Sequence, residues 1–133
     1  MKLLNSNGNT YSIQPLDYIK TNDQVQGKSK GHLLARGLIK ECFPTEWILE
    51  EVPAKIFKQT LYLDFLLKSR SIVVEVQGLQ HYEFTARFHQ TEDDFKKAKA
   101  RDNLKRDWCE INGFTLIELK YGEEDEWRKR LCQ

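Results

Sequence analysis

Two short stretches carry the side chains best suited to chemistry. In "TLYLDFLL" an aspartate, Asp64, stands in the middle of an apolar run, and in "SIVVEVQGLQHY" another run is interrupted by Glu75, Gln77 and His81. A carboxylate inside a strand that otherwise reads as buried needs a partner, a cation or an opening to solvent. Side chains two apart on a strand share a face, so Glu75 and Gln77 point one way while Val74 and Val76 point into the opposite core. If the Asp64 strand is the hairpin partner of the Glu75 strand, two carboxylates come within reach of one cation. Hard oxygen ligands of this kind suit Mg²⁺, for which Mn²⁺ can substitute, and such a site suits phosphodiester cleavage. His81 follows the flexible Gly78 and is the natural general acid or base, since imidazole titrates near neutrality. Gln77 can hydrogen-bond a water or a phosphate but brings no positive charge.

The elements that must hold these groups follow from periodicity. "KLLNSNGNTYSIQ" reads as a small hairpin around Asn7-Gly8, and residues 17–30 read as a polar linker or surface arm. Ser29 is placed to cap a helix with an apolar stripe of Leu33, Leu34, Leu38, Ile39 and Cys42, which Pro44 stops. "WILEEVP", "TLYLDFLL" and "SIVVEVQG" read as strands, with Lys68-Ser69-Arg70 turning the second into the third. From about Glu92 to Asn112 the spacing predicts one long helix that packs Leu104, Trp108 and Ile111 inward and stops at Gly113. "FTLIEL" is a last strand. In "EEDEWRKRL" acids precede bases, as the helix dipole favours, which predicts a closing helix. The order α-β-β-β-α-β-α predicts an α/β domain, a mixed sheet flanked by helices.

The chain of 133 residues is long enough for one core, and 31% charged against 40% hydrophobic residues argues against general disorder. A net charge of +1 conceals local basic and acidic clusters and neither requires nor excludes a polyanionic partner. Cys42, Cys109 and Cys132 are distant and odd in number, which argues against a zinc ribbon or a disulfide framework and for a reducing, intracellular setting. No apolar run is long enough to span a bilayer, so the expected location is the cytoplasm, with no membrane partner.

Beyond these derivations, Asp64 followed by Glu75-Val76-Gln77 resembles the D…E-x-K core of the PD-(D/E)xK, restriction-endonuclease-like nucleases, with Gln77 where lysine is usual. "LDFLL…VVEVQGLQHY…RDNLKRDWCEINGFTLIEL" is similar to the Vsr-like branch called EDxHD, which includes phage and bacterial homing-type endonucleases. The likeness spans roughly residues 29–121. It implies that Asp64, Gln77, His81 and Asp102 match the branch one by one, with Glu75 as the neighbouring strand acid and Asp64 and Glu75 as metal ligands; Asp102 would then orient the His81 ring, and Lys105, one helical turn further on, would reach a phosphate. The branch's helical glutamate has no match: "SKGH" carries His32 where relatives have glutamate, leaving His32, Glu41 or no residue in the helical role.

The resemblance implies a Mg²⁺-dependent endonuclease acting on double-stranded DNA, of homing or nicking type, in a bacterial cell or phage-infected host. Residues 1–28 would be a hairpin and DNA-contacting arm, and 29–133 the nuclease domain. Lys28, Lys30, Lys96, Lys97 and Arg101 are the expected phosphate contacts. A catalytically degenerate DNA-binding module and a branched-DNA or mismatch-directed nicking enzyme are the alternatives, and a homodimer would double the contacts.

Overall fold

The computed structural model describes residues 1–78 and 92–133. The N-terminal hairpin pairs β1 (Lys2–Leu4) with β2 (Thr10–Ser12), and two 3₁₀ turns, Pro15–Tyr18 and Asp23–Val25, lead to α1 (Lys30–Cys42). Then come β3 (Leu49–Ile56), β4 (Gln59–Leu67), a 3₁₀ turn at Lys68–Arg70, β5 (Ile72–Gln77), α2 (Glu92–Asn112), β6 (Thr115–Lys120) and α3 (Glu124–Leu131). The four-stranded sheet runs β3-β4-β5-β6, antiparallel through the first three strands and parallel between β5 and β6. This is the mixed α/β sheet that the order of elements predicts.

Helices cover both faces. On one, α1 and α3 close a core of Ala35, Ile39, Phe65, Leu67, Val74, Leu119 and Trp127. On the other, Trp108 and Cys109 of α2 pack with Val52, Leu63, Leu66 and Val73, and with Leu3 and Ile13 of the hairpin. Asn112 ties the hairpin down: its side chain accepts the Leu4 N–H at 2.7 Å and donates to the Leu4 carbonyl at 3.0 Å. The hairpin is therefore part of the core.

Several local expectations need correction. Leu33 and Leu34 are largely exposed, and α1 instead buries His32, Ala35, Arg36, Leu38 and Ile39. That face carries two polar residues because Glu50 of β3 lies beneath it: Arg36 Nε donates to Glu50 at 2.9 Å. Residues 17–30 lie mostly at the surface, and the segment is tied to α1 and the core. The Arg36 guanidinium also donates to the Lys20 carbonyl and to Asn22, and Val25 is buried. Ile111 is 42% exposed, because Trp108 and Cys109 already supply the buried face of α2 there. The separation of the cysteines does not keep them apart, since Cys42 at the end of α1 and Cys132 after α3 form a disulfide across 90 residues, with Cα atoms 5.1 Å apart. Packing α3 alongside α1 brings the two chain-distant ends together, which spacing along the sequence cannot reveal.

Two features position the site. Ser29 caps α1 by accepting the His32 N–H at 3.1 Å, and Gly31 lets the helix start approach β5, where a Cβ would meet Val76 at 3.3 Å. In β4 the alternation slips at Asp64: Leu61 and Leu63 share a core with Leu66, whereas Phe65 and Leu67 face the other. Glu51, across from it on β3, has φ of 56°, a left-handed conformation that costs a non-glycine residue roughly 1–3 kcal/mol.

Candidate active site

Regular pairing of β4 with β5 stops at Phe65 and Val74. Just beyond, each strand's carboxylate takes over the bonding. Glu75 Oε2 accepts the Asp64 N–H at 2.6 Å, and Asp64 Oδ2 accepts the Val76 N–H at 2.8 Å. The two acids thus lie side by side where the strands part, on the floor of a cleft of about 800 Å³ that also exposes His32, Glu51, Gln77, Asp102 and Lys105.

The electrostatics follow from burial. Burial and the Asp64 charge push the Glu75 carboxyl up to about 7, against the pull of Lys105, whose Nζ lies 2.7 Å from Glu75 Oε1. Burial also raises Asp64, with the Val76 N–H and the Lys105 charge acting in the opposite direction. Burial pulls the Lys105 ammonium down, but its contact with Glu75 outweighs this and the net shift is upward. A pair of partly dehydrated carboxylates sharing one lysine has an unmet demand for positive charge.

Across the cleft, His32, Glu51 and Asp64 each offer a ligand atom, all within 4.8 Å of one another. The His32 ring stacks on Phe65 with centroids 4.5 Å apart, and its Nε2 lies 3.3 Å from Glu50. Burial works to raise Glu50, yet hydrogen bonds from His32 and Arg36 hold it below the ordinary carboxylate value. An imidazole oriented by a buried carboxylate is the arrangement seen behind metal-ligating histidines. His32, Glu51 and Asp64 could therefore hold one cation, with Glu75 beside Asp64 as a further carboxylate.

The sequence-derived candidates divide as follows. Asp64, Glu75, Gln77, Asp102, Lys105 and His32 all line one cleft, with Lys28 and Lys30 at its rim. Gln77 donates to Glu118, which Arg106 grips with two bonds of 2.9 and 2.7 Å. Lys28 pairs with Glu51 at 2.6 Å. Glu41 does not join the site: it lies at the far end of α1, more than half exposed, in an ion pair with Arg128 of α3. Lys96, Lys97 and Arg101 are exposed on α2, and among the described residues none of them lines the cleft; Lys97 pairs with Asp93 at 3.4 Å. His81 lies outside the described residues.

Sequence reasoning missed Glu51, Glu50 and Arg36. The doubled acid in "WILEEVP" was the available signal, but only the left-handed turn at Glu51 sends one glutamate to the cleft and the other beneath α1.

The chain is thus an α/β protein with a mixed sheet whose splayed strands hold an acidic cleft. In sequence it is similar to three viral proteins described only as uncharacterized. It is 40% identical over 68 residues to protein 094L of Frog virus 3 (isolate Goorha), a match covering 50% of this chain and 44% of that protein. It is 38% identical over 65 residues to protein 307L of Invertebrate iridescent virus 6, covering 49% and 33%. The third is protein 033L of Invertebrate iridescent virus 3, 38% identical over 61 residues, covering 46% and 31%. The chain therefore spans less than half the length of these relatives. No family model matches it, and no solved structure does.

Proposed function

We propose that this chain is a divalent-cation-dependent endonuclease that hydrolyses phosphodiester bonds in DNA, of the restriction-endonuclease-like kind that its motif resembles. The observation that supports this most directly is the Asp64–Glu75 carboxylate pair at the parting of β4 and β5, with the Lys105 ammonium on Glu75. Asp64 would hold the cation, helped by Glu75 and by His32 and Glu51 opposite, all in the same cleft. A bound divalent ion there supplies a Lewis acid for the scissile phosphate and lowers the pKa of a water.

The chain's own groups do the rest. The position after Val76, where the resembled motif carries lysine, holds Gln77, and Lys105 brings a positive charge to the same carboxylate from α2 instead. Its three donors suit the non-bridging oxygens of a phosphate as negative charge grows in the transition state. Asp102, one turn before Lys105, adds a carboxylate at the rim that can orient a water or a histidine ring; His81 is the candidate acid or base for the leaving oxygen. Lys28 and Lys30 at the cleft mouth meet the sugar-phosphate backbone, which sets position without reading sequence. The open cleft admits a polymer strand, and a homodimer would supply a second cleft for the opposite strand.

The test is conversion of supercoiled plasmid to nicked or linear form with Mg²⁺, Mn²⁺ or EDTA. The expected result is metal-dependent cleavage that Asp64→Ala abolishes. Lys105→Ala should lower the rate about 10²- to 10³-fold, as expected for loss of one charge-stabilising donor. Adding Gln77→Lys to Lys105→Ala should restore part of it. Absence of cleavage on plasmid, branched and mismatched DNA, with DNA binding retained, would refute the enzymatic reading in favour of a binding module.

A further inference from the structure

We propose that His32, Glu51 and Asp64 form a mixed nitrogen and oxygen cation site that takes a first-row transition ion, represented by Mn²⁺, in preference to Mg²⁺. The inference rests on the reading of the cleft as cation-dependent and concerns which cation the cleft selects. Three observations carry it. The ligand atoms of the three residues lie within 4.8 Å of one another, close enough for one ion to touch all three. The His32 side chain is only 7% exposed, and its Nε2 leans on Glu50, so the ring is held in one orientation. Among the described residues the ring is hydrogen-bonded only through Nε2, which leaves Nδ1 as the nitrogen it can offer to a ligand.

The chemistry of that donor set decides the metal. Mg²⁺ prefers oxygen and sheds water reluctantly, so an imidazole in its shell gives it little. Mn²⁺ and later divalent ions accept imidazole nitrogen alongside carboxylate oxygen. Glu51 contributes one oxygen to Lys28 and has a second for the ion, and Lys28, 40% exposed, is free to swing toward solvent when a cation arrives. Glu50, fixed in turn by Arg36 at 2.9 Å, is the positioning residue behind the imidazole. An all-oxygen site would have needed none of this buried scaffold.

The experiment measures binding, not cleavage. Mn²⁺ and Mg²⁺ are titrated separately into the full chain, previously stripped with EDTA, by calorimetry, and pulsed electron paramagnetic resonance of the Mn²⁺ complex is searched for nitrogen modulation. Expected are a Mn²⁺ affinity at least about tenfold above that for Mg²⁺ and a single imidazole coupling. His32→Glu should remove the coupling and bring the two affinities to within about threefold, while Glu51→Gln, at a partly exposed position, should weaken Mn²⁺ binding and keep the coupling. Far-UV circular dichroism checks that each variant is folded. Equal or tighter Mg²⁺ binding in the wild type, or nitrogen coupling that persists in folded His32→Glu and so arises from another histidine, would overturn the assignment. Cleavage supported equally by Mg²⁺ with no nitrogen coupling would leave the nuclease reading standing and remove this one; Mn²⁺ bound through His32 without cleavage would do the reverse.

Discussion

Replacing Glu75 by glutamine should change how stability depends on pH. The Glu75 carboxyl, buried between Asp64 and Lys105, is pushed from an ordinary 4.5 to about 7 in the folded chain. A folded value above the unfolded one means that the native state binds the proton more tightly. The group's contribution is therefore most favourable below pH 4.5 and is lost as pH rises through 7. A gap of about 2.5 pH units at about 1.4 kcal/mol each is worth about 3 kcal/mol. Glutamine keeps the shape and an acceptor for the Asp64 N–H but cannot ionise. Between pH 4.5 and 8 the cation-free wild type should lose about 3 kcal/mol relative to Glu75→Gln. The attraction between Lys105 and ionised Glu75 is already contained in the folded value of Glu75, so it is not counted a second time. Urea unfolding at half-unit pH intervals in EDTA, followed by far-UV circular dichroism, measures the difference directly. Parallel stability curves for the two proteins would show that Glu75 ionises normally and would refute the account of a dehydrated carboxylate pair.

Two further perturbations test the framework around the cleft. Reducing the Cys42–Cys132 bond, or replacing Cys42 by serine, opens a 90-residue closure and should lower the unfolding free energy by about 4–5 kcal/mol on the chain-entropy account, read from denaturant unfolding with and without reductant. Arg36→Met leaves the Glu50 carboxylate, 2% exposed, without its cationic partner and should cost about 3 kcal/mol by thermal or urea unfolding; adding Glu50→Leu should recover most of it. If Arg36→Met alone is neutral, Glu50 is not held as an ion beneath α1.

The order of elements and most of the strand-borne site were legible in the residues themselves. Alternation in "TLYLDFLL" and "SIVVEVQG", the cap at Ser29 and the stop at Gly113 are local signals, and local backbone preferences act through neighbours in the chain. Asp64, Glu75 and Gln77 were found because a polar group in an apolar run is visible without knowing what it faces, whereas Asp102 came from the resemblance and Lys105 from lying one helical turn beyond it. Across the cleft, His32 was named only through the resemblance, and Glu51 was not visible. Glu51 reaches Asp64 through one left-handed residue on β3, and His32 turns inward because Glu50 and Arg36 sit beneath it. Glu41 has the right chemistry on the wrong end of the same helix, and α3 takes it through Arg128. Sequence determined which residues alternate, cap and terminate, because those choices are made over a few residues. Tertiary structure alone decided which acids share a cation-sized space and which cysteines meet, because both depend on how the strands splay and the helices pack across long stretches of chain.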